Sequence, residues 1–166
     1  MPQEEKPSVY LETTVVSYFT ARDSRDLLLA AHQQITREWF REQRNHYALF
    51  VSDLVYLEAE NGDADAVRRR IQVLDTCAVL AESEEIRQLA DIYARGIPLP
   101  PRAAVDALHM ALATWHRMEY LLTWNCRHIA NASNRRRLEG LNTRLGLPSP
   151  TICTPEELLY GNEDLD

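Results

Sequence analysis

The sequence predicts an α/β fold: one domain in three layers, α/β/α, around a short, mostly parallel central sheet of about five strands. Three observations carry this. Short apolar runs of three to five residues, at 9–11, 47–51, 77–80, 120–123 and 151–153, read as buried strands. Segments with helical spacing of apolar residues separate them, the alternation of a parallel sheet. No internal repeat, low-complexity tract or domain-sized linker interrupts the 166 residues, so residues 1–166 read as one domain with flexible tails at 1–7 and 161–166.

Taken in order, Val9-Tyr10-Leu11 forms the first strand, with Glu12 just beyond it. Thr13 to Phe19 turns or begins a helix. Asp23-Ser24 is placed to cap a second helix, in which Leu28, Ala31, Ile35 and Trp39 make a stripe running to about Gln43. Tyr47 to Val51 is the second strand. Ser52 caps a short helix over 53–60, Asn61-Gly62 breaks it, and Asp63 caps the next helix, to about Leu74. Cys77 to Leu80 is the third strand. Ser83 caps a helix that Gly96 ends, with Pro98 beyond.

The stretch from Pro100 to Asn131 organises the rest. Two prolines can open a helix but not continue one. Val105, Leu108, Leu112 and Trp115 then share one helical face, and Trp115, like Trp124, reads as core. Asp106 falls off that stripe, beside His109, Met110 and Ala113, in the first turns where the helix dipole favours a carboxylate. Tyr120 to Thr123 is the fourth strand, followed by Trp124-Asn125. A helix over 135–145 stops at Gly146, Thr151 to Cys153 is the fifth strand, and Pro155-Glu156-Glu157 begins a last turn.

Composition bounds the function. Apolar residues are 45% and charged residues 26%, ordinary for a soluble globular protein, and no apolar run approaches the ~20 residues of a membrane helix. The acidic, polar N-terminus does not read as a secretory signal. Three cysteines without a CxxC spacing fit a reducing compartment, so a cytoplasmic protein is expected. The net charge of −7 opposes avid non-specific nucleic-acid binding. That charge is uneven, however. Residues 120–147 hold Arg127, Arg135, Arg136, Arg137 and Arg144 against the single acid Glu139.

Ligands of open parallel sheets bind outside the carboxyl ends of the strands. Glu12 and Asn125 each follow a strand, Glu58 lies within two helical turns of strand two, and Asp106 is on the helix feeding strand four. The four polar groups are thus expected at one sheet edge. Clustered carboxylates repel one another, and burial sharpens the repulsion, so such a cluster usually holds a cation. Oxygen ligands suit Mg²⁺ or Mn²⁺, and phosphodiester hydrolysis is the natural reaction of such a site.

The residues VYLETT at 9–14, VSDLVYLEAENGD at 51–63, LPPRAAVDALHMALA at 99–113 and YLLTWNCRHIAN at 120–131 resemble, in order, the motifs of the PIN-domain family, metal-dependent ribonucleases that include VapC-type toxins. That resemblance implies a PIN-like fold and an Mg²⁺- or Mn²⁺-dependent endoribonuclease acting on RNA. It further implies Glu12, Glu58 and Asp106 as ligands to the ion, the toxin role of a toxin–antitoxin pair, an antitoxin partner, and a homodimer. The match departs twice: Glu12 stands where the family has Asp, and Asn125 where it has an acid. Asn125 then acts as a neutral ligand or water positioner.

Competing readings attach to the same residues. The missing acid admits a non-catalytic PIN-like module that binds RNA or a protein. A phosphotransfer domain would want an aspartate where Glu12 stands, and the chain lacks a Gly-rich phosphate loop. Glu60 rivals Glu58, while Asn125 also reads as a turn residue. His109, and Cys126 with His128, invite a zinc or thiol-nucleophile reading, but Cys126 and His128 lack a spacing diagnostic of zinc and a nucleophilic Cys needs a placed base. Arg68-Arg69-Arg70 reads as a solvated helix face. Arg127, Arg135, Arg136 and Arg137 are the candidate contacts to nucleic-acid phosphates.

Overall fold

The computed structural model describes residues 5–160; the tail expected at 161–166, and the first four residues of the tail expected at 1–7, lie outside the described residues. Strand β1 (Ser8–Leu11) is the centre of the sheet. Val9, Tyr10 and Leu11 are all fully buried, each contributing about 1.5–3 kcal/mol through the apolar surface it removes from water. Helix α1 (Thr13–Thr20) starts at once, capped by Glu12 itself. Helix α2 (Leu27–Glu42) is capped by Asp26, not by the Asp23-Ser24 pair, because the Asp26 carboxylate is the one that accepts from the Leu29 amide. Its predicted stripe also starts late: Trp39 is buried, but Leu28 is 68% exposed.

Strand β2 (Ala48–Ser52) runs into α3 (Asp53–Ala59) through Ser52, whose hydroxyl accepts from the Val55 amide. Gly62, at φ 104°, makes the left-handed break before α4 (Ala64–Leu74), capped by Asp63. Strand β3 (Ala78–Leu80) and α5 (Glu84–Gly96) follow, the latter capped by Ser83. Gly96 faces α7 closely: a Cβ there would come within 2.8 Å of the Leu141 side chain, which would have to shift. A 3₁₀ turn over Pro101–Ala103 opens α6 (Ala104–Trp115). Strand β4 (Tyr120–Leu122), α7 (Ala132–Leu145), β5 (Thr151–Cys153) and α8 (Pro155–Leu159) complete the chain. Gly146 ends α7 in the left-handed conformation at φ 69°.

All four strand pairings are parallel, in the order β3-β2-β1-β4-β5. The chain moves from β1 outward through β2 to β3, then crosses back to β4 and β5. Right-handed crossovers therefore place α1–α4 on one face and α5–α7 on the other. The packing agrees: α1 packs on α2, α3 and α4, while α5 packs on α6 and α7. The order of strands reverses between β1 and β4, and their carboxyl ends open a crevice there. Among the described residues no helix is long and apolar enough to cross a membrane.

The α6 stripe is corrected. Ala107, His109, Met110, Ala111 and Ala113 are buried, whereas Val105 is 40% and Trp115 42% exposed. The helix is pressed between the sheet and α5, so residues off the apolar stripe are also covered. Trp124 is core, as predicted, at 6% exposure. The Arg68–Arg70 run is only partly solvated. Arg69 donates to the Thr20 carbonyl, and Arg70 donates to the Ala59 and Asn61 carbonyls.

Candidate active site

Glu12 leaves β1 at the crevice, and only 3% of it is exposed. Its Oε2 accepts from the Thr14 amide at 3.1 Å, the Thr14 hydroxyl at 2.5 Å and the Thr123 hydroxyl, from beyond β4, at 2.8 Å. Burial disfavours its charge more than the His109 charge and these donors favour it, so its pKa is raised above the usual carboxylate range.

Glu58, on α3, stands next in line. The Thr13 hydroxyl donates to its Oε1 at 2.8 Å, so adjacent threonines of α1 hold Glu58 and Glu12. His109 Nε2 reaches the same Oε1 at 2.5 Å. His109 is fully buried, and its Nδ1 lies 2.7 Å from the Tyr10 hydroxyl, itself 2.8 Å from Ser52 Oγ. One chain of contacts thus runs Ser52–Tyr10–His109–Glu58–Thr13 across β2, β1, α6, α3 and α1. Burial opposes the charge of Glu58, but the His109 hydrogen bond and charge, then Thr13, outweigh it and lower its pKa. Burial likewise drives His109 toward neutrality. The Glu58 hydrogen bond and the charges of Glu12, Glu58 and Asp106 overcome this and raise the His109 pKa. The two shifts agree on a charged pair in which His109 Nε2–H donates to Glu58.

Asp106, in the first turn of α6, is 3.0 Å from His128 Nδ1. The side chains of His128 and Asp106 are 19% and 16% exposed. Asn125 builds the loop that presents His128. Its Oδ1 accepts from the His128 amide at 3.0 Å, and its carbonyl accepts from the Ile129 and Ala130 amides. The turn reading of Asn125 is therefore realised by its side-chain oxygen. Asn125 remains tied to the acids, because its amide donates to Thr123 Oγ1, which donates to Glu12.

His109 is thus the point that all three carboxylates act upon. Their oxygens are the donor type Mg²⁺ or Mn²⁺ takes, and the raised pKa of Glu12 comes from its burial, which the His109 charge and the threonine donors only partly offset. The donor chemistry fits a divalent ion. The side-chain arrangement is not that of a closed cage: among the described residues no three His, Cys, Asp or Glu side chains are grouped to hold one ion. Glu58 is turned onto His109 and Asp106 onto His128.

Sequence reasoning missed Tyr10, Thr13, Thr14 and Thr123. The visible signal was three threonines directly after two strands, where hydroxyls can reach a neighbouring strand's end. The arginines lie on α7 and on the loop after β4. Arg135 donates to the Ile152 carbonyl and Glu157, so it ties α7 to β5 and α8. Arg136 and Arg137 are exposed on α7; Arg136, with Arg135, lines an open groove of about 610 Å³ beside β5. Arg127 is exposed on the loop after β4, next to His128.

No family model matches the sequence, and no curated protein matches it. Among solved structures the chain is similar to a chain in the crystal structure of VapBC2 from Rickettsia felis bound to a DNA fragment from their promoter. The TM-score is 0.55 and the identity 11%, over 89% of this chain and 98% of that one. At that identity the likeness is one of fold. It joins the doubly wound, five-stranded parallel sheet in showing a PIN-like α/β architecture.

Proposed function

We propose that this protein is a Mg²⁺- or Mn²⁺-dependent endoribonuclease and the toxin of a type II toxin–antitoxin pair. The observation that carries the reading is the placement of three carboxylates about the switch point of a PIN-like sheet: Glu12 buried and held by Thr14 and Thr123, Glu58 on the buried His109, and Asp106 on His128. The structural neighbour, a VapBC2 assembly on its promoter, supports an antitoxin partner. A homodimer belongs to the same reading.

Glu12, Glu58 and Asp106 would hold the ion. When bound, such an ion polarises a phosphate oxygen and lowers the pKa of a bound water. The chain's own residues prepare this. Thr14 and Thr123 fix the direction of Glu12, Thr13 and His109 fix Glu58, and His128 fixes Asp106. Asn125 shapes the loop that carries His128 and the exposed Arg127.

A second reading, a non-catalytic RNA-binding module, is favoured by Asn125, whose oxygen is committed to its own turn. Cleavage of end-labelled RNA with Mn²⁺ and with EDTA separates the two. Asp106→Asn should lower the rate about 100- to 1000-fold, the scale of losing one charged stabiliser of the transition state. Asparagine can still accept from His128, so the fold should persist. Mn²⁺-independent binding without cleavage would establish the second reading, and full activity in Asp106→Asn would remove Asp106 from the site.

A further inference from the structure

Beside the carboxylates lies a group of rings that the proposed chemistry does not use. The Trp124 amide donates to Thr14 Oγ1, the hydroxyl that bonds Glu12, so the ring group is attached directly to the site. The Trp124 indole is locked from behind by a hydrogen bond from Nε1 to Thr36 Oγ1 at 2.7 Å. His32, from α2, lies on the indole face at 4.0 Å and 14°. Tyr18, from α1, lies parallel to both within 18°, with its centroid 6.2 Å from Trp124 and 6.5 Å from His32. The triangle of distances places Tyr18 beside the Trp124–His32 pair, as a neighbouring tile.

Three further facts point outward. Trp124 is buried, but Tyr18 and His32 are each only partly buried, so the surface of the group is theirs. The Tyr18 hydroxyl makes no hydrogen bond among the described residues, though the charges of Glu12 and Cys126 help burial raise its pKa. The loop joining α1 to α2 carries Arg22 and Arg25, both exposed and without an acidic partner among the described residues. Gln33 pins that loop by donating to the Arg22 carbonyl and accepting from the Ser24 amide. Asp23 and Asp26 on the same loop are engaged, Asp23 by Arg37 and Asp26 as the cap of α2, which leaves the two arginines as its unpaired charges among the described residues. Flat rings preset by packing, with cations nearby in the chain, are a combination that binds unpaired nucleic acid, bases stacking and cations meeting the backbone.

We infer that Tyr18, backed by His32 and the immobile Trp124, stacks an unpaired nucleobase next to the acidic site and so directs this protein to single-stranded RNA. The inference rests on the nuclease reading for its ligand, but it concerns different residues. Stacking takes any base, so the platform selects strandedness and position rather than sequence. The partly exposed Tyr18 is the positioning residue; Trp124 is too buried to meet a base itself.

The test is fluorescence anisotropy with a labelled single-stranded RNA oligonucleotide, the same oligonucleotide in a duplex, and a version with one abasic position scanned along it, all in EDTA. Wild type should prefer the single strand. Tyr18→Ala should weaken single-strand binding roughly 5- to 150-fold, the range of one lost base stack, while leaving duplex binding unchanged. Tyr18→Phe should bind as wild type does. Tyr18→Leu keeps the apolar volume and removes the ring, so it should behave as Tyr18→Ala does even if the alanine variant is poorly folded. An abasic site at the stacked position should abolish the difference between wild type and Tyr18→Leu. Cleavage by wild type together with unchanged single-strand affinity in Tyr18→Leu would overturn this inference and leave the nuclease reading standing. RNA binding by neither protein would overturn both.

Discussion

Tyr10→Phe removes one oxygen from the centre of the sheet and tests whether the buried polar chain holds the site together. The phenylalanine ring fills the same space, so no cavity forms. Lost are the contacts to Ser52 Oγ at 2.8 Å and His109 Nδ1 at 2.7 Å, in a residue with no exposed surface. Ser52 keeps the Val55 amide as a donor, so its share is one ordinary hydrogen bond, about 1 kcal/mol. His109 Nδ1 is left without its partner inside the protein, at about 1–3 kcal/mol. The expected loss is therefore about 2–4 kcal/mol. For a domain of this length, that lowers the melting temperature by about 5–15 °C. Urea unfolding at pH 6, where the His109–Glu58 pair is charged, measures it. The same chain predicts coupling: Tyr10→Phe and Glu58→Gln together should depart from additivity by more than about 0.5 kcal/mol, because both act through His109. A Tyr10→Phe protein within about 0.5 kcal/mol of wild type, or strictly additive with Glu58→Gln, would refute a continuous network.

Two further outcomes follow from the charges. Glu12 has a raised pKa, so its protonated form is favoured by folding. Its contribution is fully present below the unfolded value of 4.5 and is lost as pH rises through the folded one. His109, also raised, adds a loss that begins above its unfolded value of 6.5, and Glu58, lowered, loses its contribution as pH falls below 4.5. Metal-free wild type should therefore weaken from pH 5 to pH 8. Glu12→Gln should flatten that slope and be the more stable protein at pH 8; an unchanged slope in denaturation with EDTA would show that Glu12 is not the strained group. On α7, replacing the exposed Arg136 and Arg137 by Ala should weaken RNA binding and lower the slope of log K against log[salt] by about 1.4, at ~0.7 per lost single-strand phosphate contact. Arg135 is left out because its loss would break the Ile152 and Glu157 contacts; an unaltered salt slope would mark the other two as surface residues only.

What the sequence determines by itself is local. Ser52, Asp63 and Ser83 cap helices because each reaches an amide three residues on, and Gly62 and Gly146 stop them because each adopts a positive φ. The five strands and the positions of Glu12, Glu58, Asp106 and Asn125 at strand ends or nearby helices follow from the same short-range pattern. Tertiary structure decides the rest. That β1 lies at the centre depends on where four crossovers land, and the burial of His109 instead of Trp115 depends on α5 lying across α6. The pairing of His109 with Tyr10 spans 99 residues, and that of Thr123 with Glu12 spans 111. No periodicity encodes such partners. They exist because a parallel sheet brings strand ends distant in sequence to one edge, where burial strips the water from every polar group and obliges each to find another.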